Sequence, residues 1–171
     1  MISVIIATHE SERLLVPTFA ALVPGAVAGI VHEVIVADAG SRDGTMRIAD
    51  AAGCGMVVAS GSVGARLKSA AASARAPWLM FLRPGCVPDV TWIDETTRFI
   101  LDAERRRNAH TLAAVFRKAP SGGNPRSLIR EAFALVAAAV GARPHPDQGL
   151  LISEAFYDDL GGHRADTMMP K

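Results

Sequence analysis

Short apolar runs alternate with amphipathic stretches along this chain. The run Ile2–Ala7 is continuous and rich in β-branched residues, which is typical of a strand buried on both faces of a sheet. Further apolar runs predict strands at 32–37, 55–59, 77–82, 111–116 and 149–153. The stretches between them predict helices from Ser11 to a stop at Pro24-Gly25, and at 45–52, 63–74, 90–107, 126–140 and 154–160. This alternation predicts an α/β fold with a mostly parallel sheet flanked by helices on both faces.

The helix predicted at 126–140 carries apolar residues over most of its circumference. A helix of that kind is either buried or lies at a subunit contact. It therefore offers a surface for a homodimer or for a partner protein.

Composition excludes several classes of function. The 171 residues suffice for one domain, and a net charge of +1 gives no electrostatic case for nucleic acid. Cys54 and Cys86 lack the spacing of a zinc site. No basic leader with a long apolar stretch opens the chain, and its longest apolar run is far shorter than the ~20 residues that span a bilayer. We expect a cytoplasmic protein without a transmembrane segment, whose contact with the inner membrane, if any, is peripheral.

Candidate binding residues cluster where the predicted strands end. Ligands of an open parallel sheet bind beyond the carboxyl ends of its strands, and Thr8-His9-Glu10, Asp38 and Arg83 all fall there. Asp38 follows a buried strand directly, so its carboxylate is suited to a ring N–H or a ribose hydroxyl. The alternative is that it caps a turn, which is the better interpretation for Asp43 ahead of Gly44.

Four stretches of the chain resemble, in the right order, the signature stretches of family 2 glycosyltransferases. They are Ser3–Thr8, Glu33–Thr45, Gly64–Leu82, and Pro146–Ile152 with Phe156 and Leu160-Gly161-Gly162, the last being similar to a stretch near the acceptor site. The resemblance implies a single GT-A-type domain over residues 1–171. Residues 1–108 would form its nucleotide-sugar-binding half and 109–171 a short acceptor-side half.

The resemblance also implies a function and a set of site residues. The partners would be a nucleotide-diphosphate sugar and an unknown acceptor that receives the sugar. The nucleotide-binding candidates are Thr8, His9, Glu10, Asp38, Gly40, Ser41, Arg66 and Arg83. Asp147 is the remaining candidate for the catalytic base that deprotonates the acceptor hydroxyl, unless it only caps a turn.

Two departures from the family pattern bear on activity. Arg83-Pro84-Gly85-Cys86 stands where the family has the Asp-x-Asp motif that holds a divalent cation, and these residues offer no oxygen side chain to Mg²⁺ or Mn²⁺. The chain also ends short of the place of the family's Glu-Asp motif. We therefore expect no metal or other cofactor.

Two functions remain open at this point. In the first, a transferase works without metal, because the Arg83 guanidinium pairs with phosphate oxygens in place of the ion; Arg83 is otherwise a solvated turn residue. In the second, an inactive pseudo-glycosyltransferase binds a nucleotide or a partner protein. A nucleotidyltransferase or a dehydrogenase ranks lower, because no glycine-rich phosphate loop follows the first strand.

Overall fold

The structure of the chain is a computed structural model that describes residues 1–116 and 149–164, and the backbone of 129–133. The first part of the chain forms β1 Ile2–Thr8, α1 Glu12–Val27, β2 Val31–Asp38, α2 Thr45–Ala51, β3 Gly55–Val58 and α3 Val63–Ala71. The second part forms β4 Trp78–Leu82, α4 Trp92–Arg105, β5 Leu112–Phe116, β6 Ile129–Phe133, β7 Leu150–Ser153 and α5 Glu154–Asp159.

The described strands form one sheet in the order β3-β2-β1-β4-β7-β5-β6. Strands β3, β2, β1 and β4 pair in parallel. Strand β7 is antiparallel to β4 and to β5, so β5 runs in the direction of β4, while β6 is antiparallel to β5. The α/β fold with a mostly parallel sheet is therefore confirmed.

The two central strands are buried along their whole length, as their apolar sequences predict. Every residue of β1 and of β4 is buried. Side chains alternate across a strand, so Val4 and Ile6 join the core under α1 and α4, whereas Ile5 and Ala7 join the core under α3 and α5. Helices therefore cover both faces of the sheet, also as predicted.

Helix α1 does not stop at Pro24-Gly25, so that predicted end is wrong. The Ala28 N–H donates to the Pro24 carbonyl at 2.9 Å, and the helix continues to Val27. A proline removes its own donor but leaves its carbonyl available to the next turn. Gly25 serves packing instead, since a Cβ there would lie 2.5 Å from the Trp92 ring of α4.

The helix predicted at 126–140 is wrong where the structure describes it. Residues 129–133 form β6, which pairs with β5 from Phe116↔Ile129 to Leu112↔Phe133. A short apolar run does not by itself distinguish a strand from a helix. Here the run pairs with β5 and is a strand. The remainder of that predicted helix lies outside the described residues. The homodimer contact that depended on it has no support.

Among the helices that the structure describes, none combines the length and the apolar character needed to cross a bilayer.

Candidate functional site

The predicted binding residues gather at the carboxyl ends of the parallel strands, which we call the carboxyl edge. Thr8 ends β1 and pairs with Asp38 at the end of β2. On the other side of β1, Ile6 pairs with Leu82, so Arg83 leaves β4 close to the same level. Strand β1 alone separates Asp38 from Arg83, which places their backbones roughly 10 Å apart. Both lie on the same edge of the sheet, as the sequence predicts.

Asp38 sits at the centre of a closed hydrogen-bond arrangement. Its Oδ2 accepts from the Thr8 and Ser41 hydroxyls, each at 2.6 Å. Its Oδ1 accepts from the backbone N–H of Gly40 at 2.7 Å and of Ser41 at 2.6 Å. An ionised carboxylate offers about four acceptor positions, so all of them are used within the protein. In this conformation the side chain, which is fully buried, orders the start of the loop after β2.

These contacts set the ionisation of Asp38. Burial raises the pKa of the Asp38 carboxyl, but the hydrogen bonds from Ser41, Thr8 and Gly40 outweigh burial and hold the pKa below its ordinary value. The carboxylate is therefore ionised at neutral pH. Its negative charge is shared by two backbone N–H groups and two side-chain hydroxyls.

The loop after β1 is joined to the loop after β2 through Glu10. The Glu10 N–H donates to Ser41 Oγ at 2.9 Å, and its Oε1 accepts from the Arg42 N–H at 2.7 Å. Glu10 adopts a positive φ of 48°, which a residue with a side chain rarely adopts without such support. Two predicted nucleotide-binding residues, Glu10 and Ser41, are thus brought together, with His9 exposed beside them.

Asp43 is used for capping, in agreement with the sequence interpretation. Its Oδ1 accepts from the Thr45 N–H at 2.9 Å at the start of α2, and its Oδ2 accepts from the Glu12 N–H at 3.0 Å. In return, Glu12 Oε2 accepts from the Gly44 N–H at 2.9 Å. A Cβ on Gly44 would collide with that carboxylate, so a larger residue here would displace the Glu12 side chain. The loops after β1 and β2 thus form one unit.

Arg66 differs from these carboxylates. It lies in the first turns of α3, is only 5% exposed, and its Nη1 donates to the Gly61 carbonyl at 2.8 Å. Its Nε is buried and has no hydrogen-bond partner in the structure. Within the described residues no ion pair joins this guanidinium to a carboxylate. Gly61 follows β3, whose Val58 pairs with Asp38, so the buried cation lies at the β3 end of the carboxyl edge.

The segment that follows β4 is unsuited to a divalent cation. Arg83 is half-buried and already engaged in an interaction, and Pro84 and Gly85 bring no ligand atoms. Burial raises the pKa of the Cys86 thiol, which disfavours the thiolate that a metal would bind. Among the described residues, no group of three or more His, Cys, Asp or Glu side chains could hold a metal ion. The donors present here do not fit Mg²⁺ or Mn²⁺.

Sequence prediction and structure differ in what they say of two residues, Asp147 and His163. Asp147 lies outside the described residues, so its catalytic role stays a prediction. His163 was not predicted, yet it packs on Phe81 near the end of β4. Its position directly after Gly161-Gly162 was the only sequence signal, because no periodicity marks a side chain that follows a helix end.

A parallel sheet with antiparallel additions, helices on both faces and a polar carboxyl edge defines a GT-A-type fold, the architecture of the glycosyltransferases it superposes on. Glucosyl-3-phosphoglycerate synthase from Mycobacterium tuberculosis, solved with Mn²⁺, UDP and glucosyl-3-phosphoglycerate, superposes with a TM-score of 0.60 at 22% identity, covering 90% of this chain and 57% of that one. The same enzyme in its UDP complex superposes with a TM-score of 0.61 at 21% identity, covering 99% of this chain and 73% of that one.

TarS from S. aureus, solved over residues 1–349, superposes with a TM-score of 0.62 at 16% identity, covering 98% of this chain and 51% of that one. The chain therefore spans little more than half the length of most of these proteins. No protein-family model matches the sequence. No curated protein matches it either. At these identities the likeness establishes the fold.

Proposed function

We propose that this chain binds a nucleotide-diphosphate sugar along the carboxyl edge and transfers the sugar to an acceptor, without a metal ion at the end of β4. The observation that carries this proposal is the buried Arg66 guanidinium, whose Nε has no partner. The GT-A-type fold supports it, since the superposed synthase was solved with UDP and with UDP-glucose.

A buried cation without a carboxylate to pair with is costly, by several kcal/mol for an ion taken out of water, and the single hydrogen bond to the Gly61 carbonyl offsets only part of that cost. Buried polar groups in proteins are nearly always hydrogen-bonded, so an unpartnered donor calls for an explanation. A ligand that presents an oxygen acceptor to Arg66 Nε would satisfy the donor. A nucleotide does so through a phosphate or a base carbonyl, which makes it a suitable ligand for this end of the edge.

The remaining residues of the edge fit the same ligand. Thr8, His9, Glu10, Gly40 and Ser41 form the loop unit around Asp38, against which a nucleoside would lie. We propose that Asp38 acts mainly by holding this unit in shape, since its oxygens are occupied by the four donors. Arg83, at the end of β4, would face the phosphates and supply positive charge where a metal-dependent enzyme has its cation.

Calorimetric titration with UDP tests this proposal. We expect wild-type protein to bind UDP equally well in Mn²⁺ and in EDTA, and Arg66→Gln and Arg83→Ala each to weaken binding tenfold or more, because a charge-assisted contact is lost (about 1.4 kcal/mol or more). Arg98→Gln is the matched control, since Arg98 is exposed on α4 away from the edge.

The results separate the alternatives. Binding that requires Mn²⁺ would contradict the metal-free part of the proposal. If Arg66→Gln and Arg83→Ala both bind UDP as tightly as wild-type protein, neither arginine binds the nucleotide phosphates. Binding of UDP without release of nucleotide from any donor sugar would identify an inactive pseudo-glycosyltransferase.

A further inference from the structure

Near the end of β4, a cluster of rings covers the face of the sheet that carries α3. After α5 the chain turns at Gly161 and Gly162, and the His163 ring packs edge-on against Phe81, with 4.6 Å between ring centroids and 65° between planes. The Tyr157 ring stacks on the same Phe81 at 5.2 Å. Phe81 precedes Arg83 by two residues, so this cluster lies close to the carboxyl edge.

The Tyr157 hydroxyl fixes the orientation of His163. The backbone N–H of His163 donates to the hydroxyl oxygen at 3.1 Å. The same oxygen lies 2.9 Å from Nδ1 of the His163 ring. The Tyr157 oxygen therefore holds both the backbone and the ring of His163, and the contact to the ring occupies Nδ1. In the tautomer with its proton on Nδ1, the ring donates to the tyrosine oxygen and Nε2 keeps its lone pair.

The surroundings keep the ring neutral. Burial lowers the pKa of His163 below its ordinary value, so the imidazole is uncharged at pH 7. The charged groups around this turn are Lys68 of α3, whose Nζ donates to the Gly161 carbonyl at 2.9 Å, together with Asp158 and Arg164. Among the described carboxylates, none forms an ion pair with His163 that would favour its charged form.

Helix α3 connects the surroundings of Arg66 and His163. Arg66 belongs to α3, and Lys68 of the same helix donates to the Gly161 carbonyl at 2.9 Å, two residues before His163. His163 packs on Phe81, which precedes Arg83 by two residues, so a ligand whose phosphates face Arg83 would present the end beyond its phosphates near His163. For a nucleotide-diphosphate sugar, that end is the sugar.

We propose that His163, held by Tyr157, is the base that takes the proton of the acceptor hydroxyl in sugar transfer, an inference that rests on the proposed function. The acceptor oxygen forms a bond to the anomeric carbon of the sugar. The bond from that carbon to the phosphate oxygen breaks, and its electron pair leaves with the nucleoside diphosphate. The acceptor proton passes to Nε2, and the resulting imidazolium donates from Nδ1 to the Tyr157 oxygen.

This role replaces the one predicted for Asp147, and both residues can be tested together. The probe reaction is release of UDP from UDP-glucose with water as the acceptor. We expect His163→Gln to lower its rate about 100-fold or more while UDP affinity stays within twofold, because a general base acts on the reaction and not on the nucleotide. Tyr157→Phe should lower the rate less and shift its pH profile. His110→Gln, at an exposed histidine, is the control.

Nitrogen NMR of the labelled imidazole provides a readout that does not depend on turnover. We expect His163 in the free protein to carry its proton on Nδ1, and its Nε2 resonance to move when UDP-glucose is added, while that of His110 stays. A proton on Nε2, an unmoved resonance in protein that binds UDP-glucose, or a loss of rate in Asp147→Asn with none in His163→Gln would overturn the role of His163.

The failures of the two proposals are distinguishable. If wild-type protein does not bind UDP or UDP-glucose, the proposed function fails and the role of His163 falls with it. If wild-type protein binds UDP but releases none from UDP-glucose, GDP-mannose or UDP-N-acetylglucosamine, nucleotide binding stands and the base is refuted. If the His163→Gln protein does not fold, His163→Asn takes its place, and urea denaturation verifies that the variant is folded.

Discussion

Two neighbouring regions of the carboxyl edge, the ends of β1 and β2 and the loop after β3, differ in how the protein satisfies their buried charges. At the ends of β1 and β2, Asp38 is fully buried and its four acceptor positions are filled by protein donors. Beside the loop after β3, Arg66 is almost as buried, yet its Nε has no partner. Both groups are charged and similarly buried, so burial alone does not explain why only Asp38 has all its hydrogen-bonding positions filled.

The contrast separates a charged group whose hydrogen-bonding positions the protein itself fills, Asp38, from one that keeps an unpartnered donor for the proposed ligand, Arg66. A carboxylate with every acceptor position occupied stabilises its loops and has little left for a ligand. A buried guanidinium with an unpartnered donor lowers the stability of the folded state, and a ligand that binds with an oxygen acceptor would restore the missing hydrogen bond. Substitutions of Asp38 and of Arg66 should therefore change the free energy of unfolding in opposite directions.

The largest effect is expected at Asp38. Asp38→Ala leaves the Thr8 and Ser41 hydroxyls and two N–H groups without their acceptor, so the free energy of unfolding should fall by about 3 kcal/mol or more. Urea denaturation measures this, with exposed Asp50→Ala of α2 as the control. A stable Asp38→Ala protein that has lost UDP binding would reverse the comparison and make Asp38 a ligand residue.

The lowered pKa of Asp38 adds a pH signature to the same experiment. Because the folded-state pKa is depressed, the stabilisation is present above the unfolded-state pKa of ~3.9 and is lost as the pH falls through the folded value. Wild-type protein should therefore lose stability in this acid range. The Asp38→Ala variant should lose less over the same range.

An effect of intermediate size and opposite sign is expected at Arg66. Arg66→Met keeps most of the side-chain volume and removes the buried charge, so the free energy of unfolding should rise by about 1 kcal/mol. The Gly61 carbonyl that loses its donor belongs to an exposed residue and can be hydrated. Urea denaturation in the absence of nucleotide measures the change. A clear loss of stability would mean that Arg66 is a structural residue like Asp38.

The smallest effect concerns His163 and pH. Since burial lowers the pKa of His163, the unfolded chain binds a proton more readily than the folded one. Stability should therefore fall as the pH drops below the unfolded-state value of about 6.5, and His163→Gln should flatten that part of the curve. Melting temperatures between neutral and mildly acid pH measure it, with His110→Gln expected to keep the slope of wild-type protein.

Much of the fold could be predicted because it depends on local pattern. The apolar runs of β1 and β4 exclude any exposed face, and the structure buries both strands completely. Since parallel strands end at one edge, the proximity of Thr8, Asp38 and Arg83 followed from the strand assignments alone. The capping role of Asp43 followed from its place before Gly44-Thr45, because a cap contacts residues close in sequence.

The errors and omissions share a different cause. Residues 129–133 form a strand that pairs with β5, and β7 inserts antiparallel between β4 and β5. The saturation of Asp38 depends on Thr8, 30 residues away. These features rest on partners that are distant along the chain, which sequence periodicity does not report.

The sequence by itself determined the α/β class, the order of strands and helices outside 126–140, and the edge on which the polar residues meet, since each follows from the spacing of apolar side chains. Tertiary structure alone decided which charges are satisfied. Burial and hydrogen bonding depend on what packs around a group, so only the folded chain distinguishes the enclosed carboxylate of Asp38 from the unpartnered Nε of Arg66, and only it brings His163 onto Phe81.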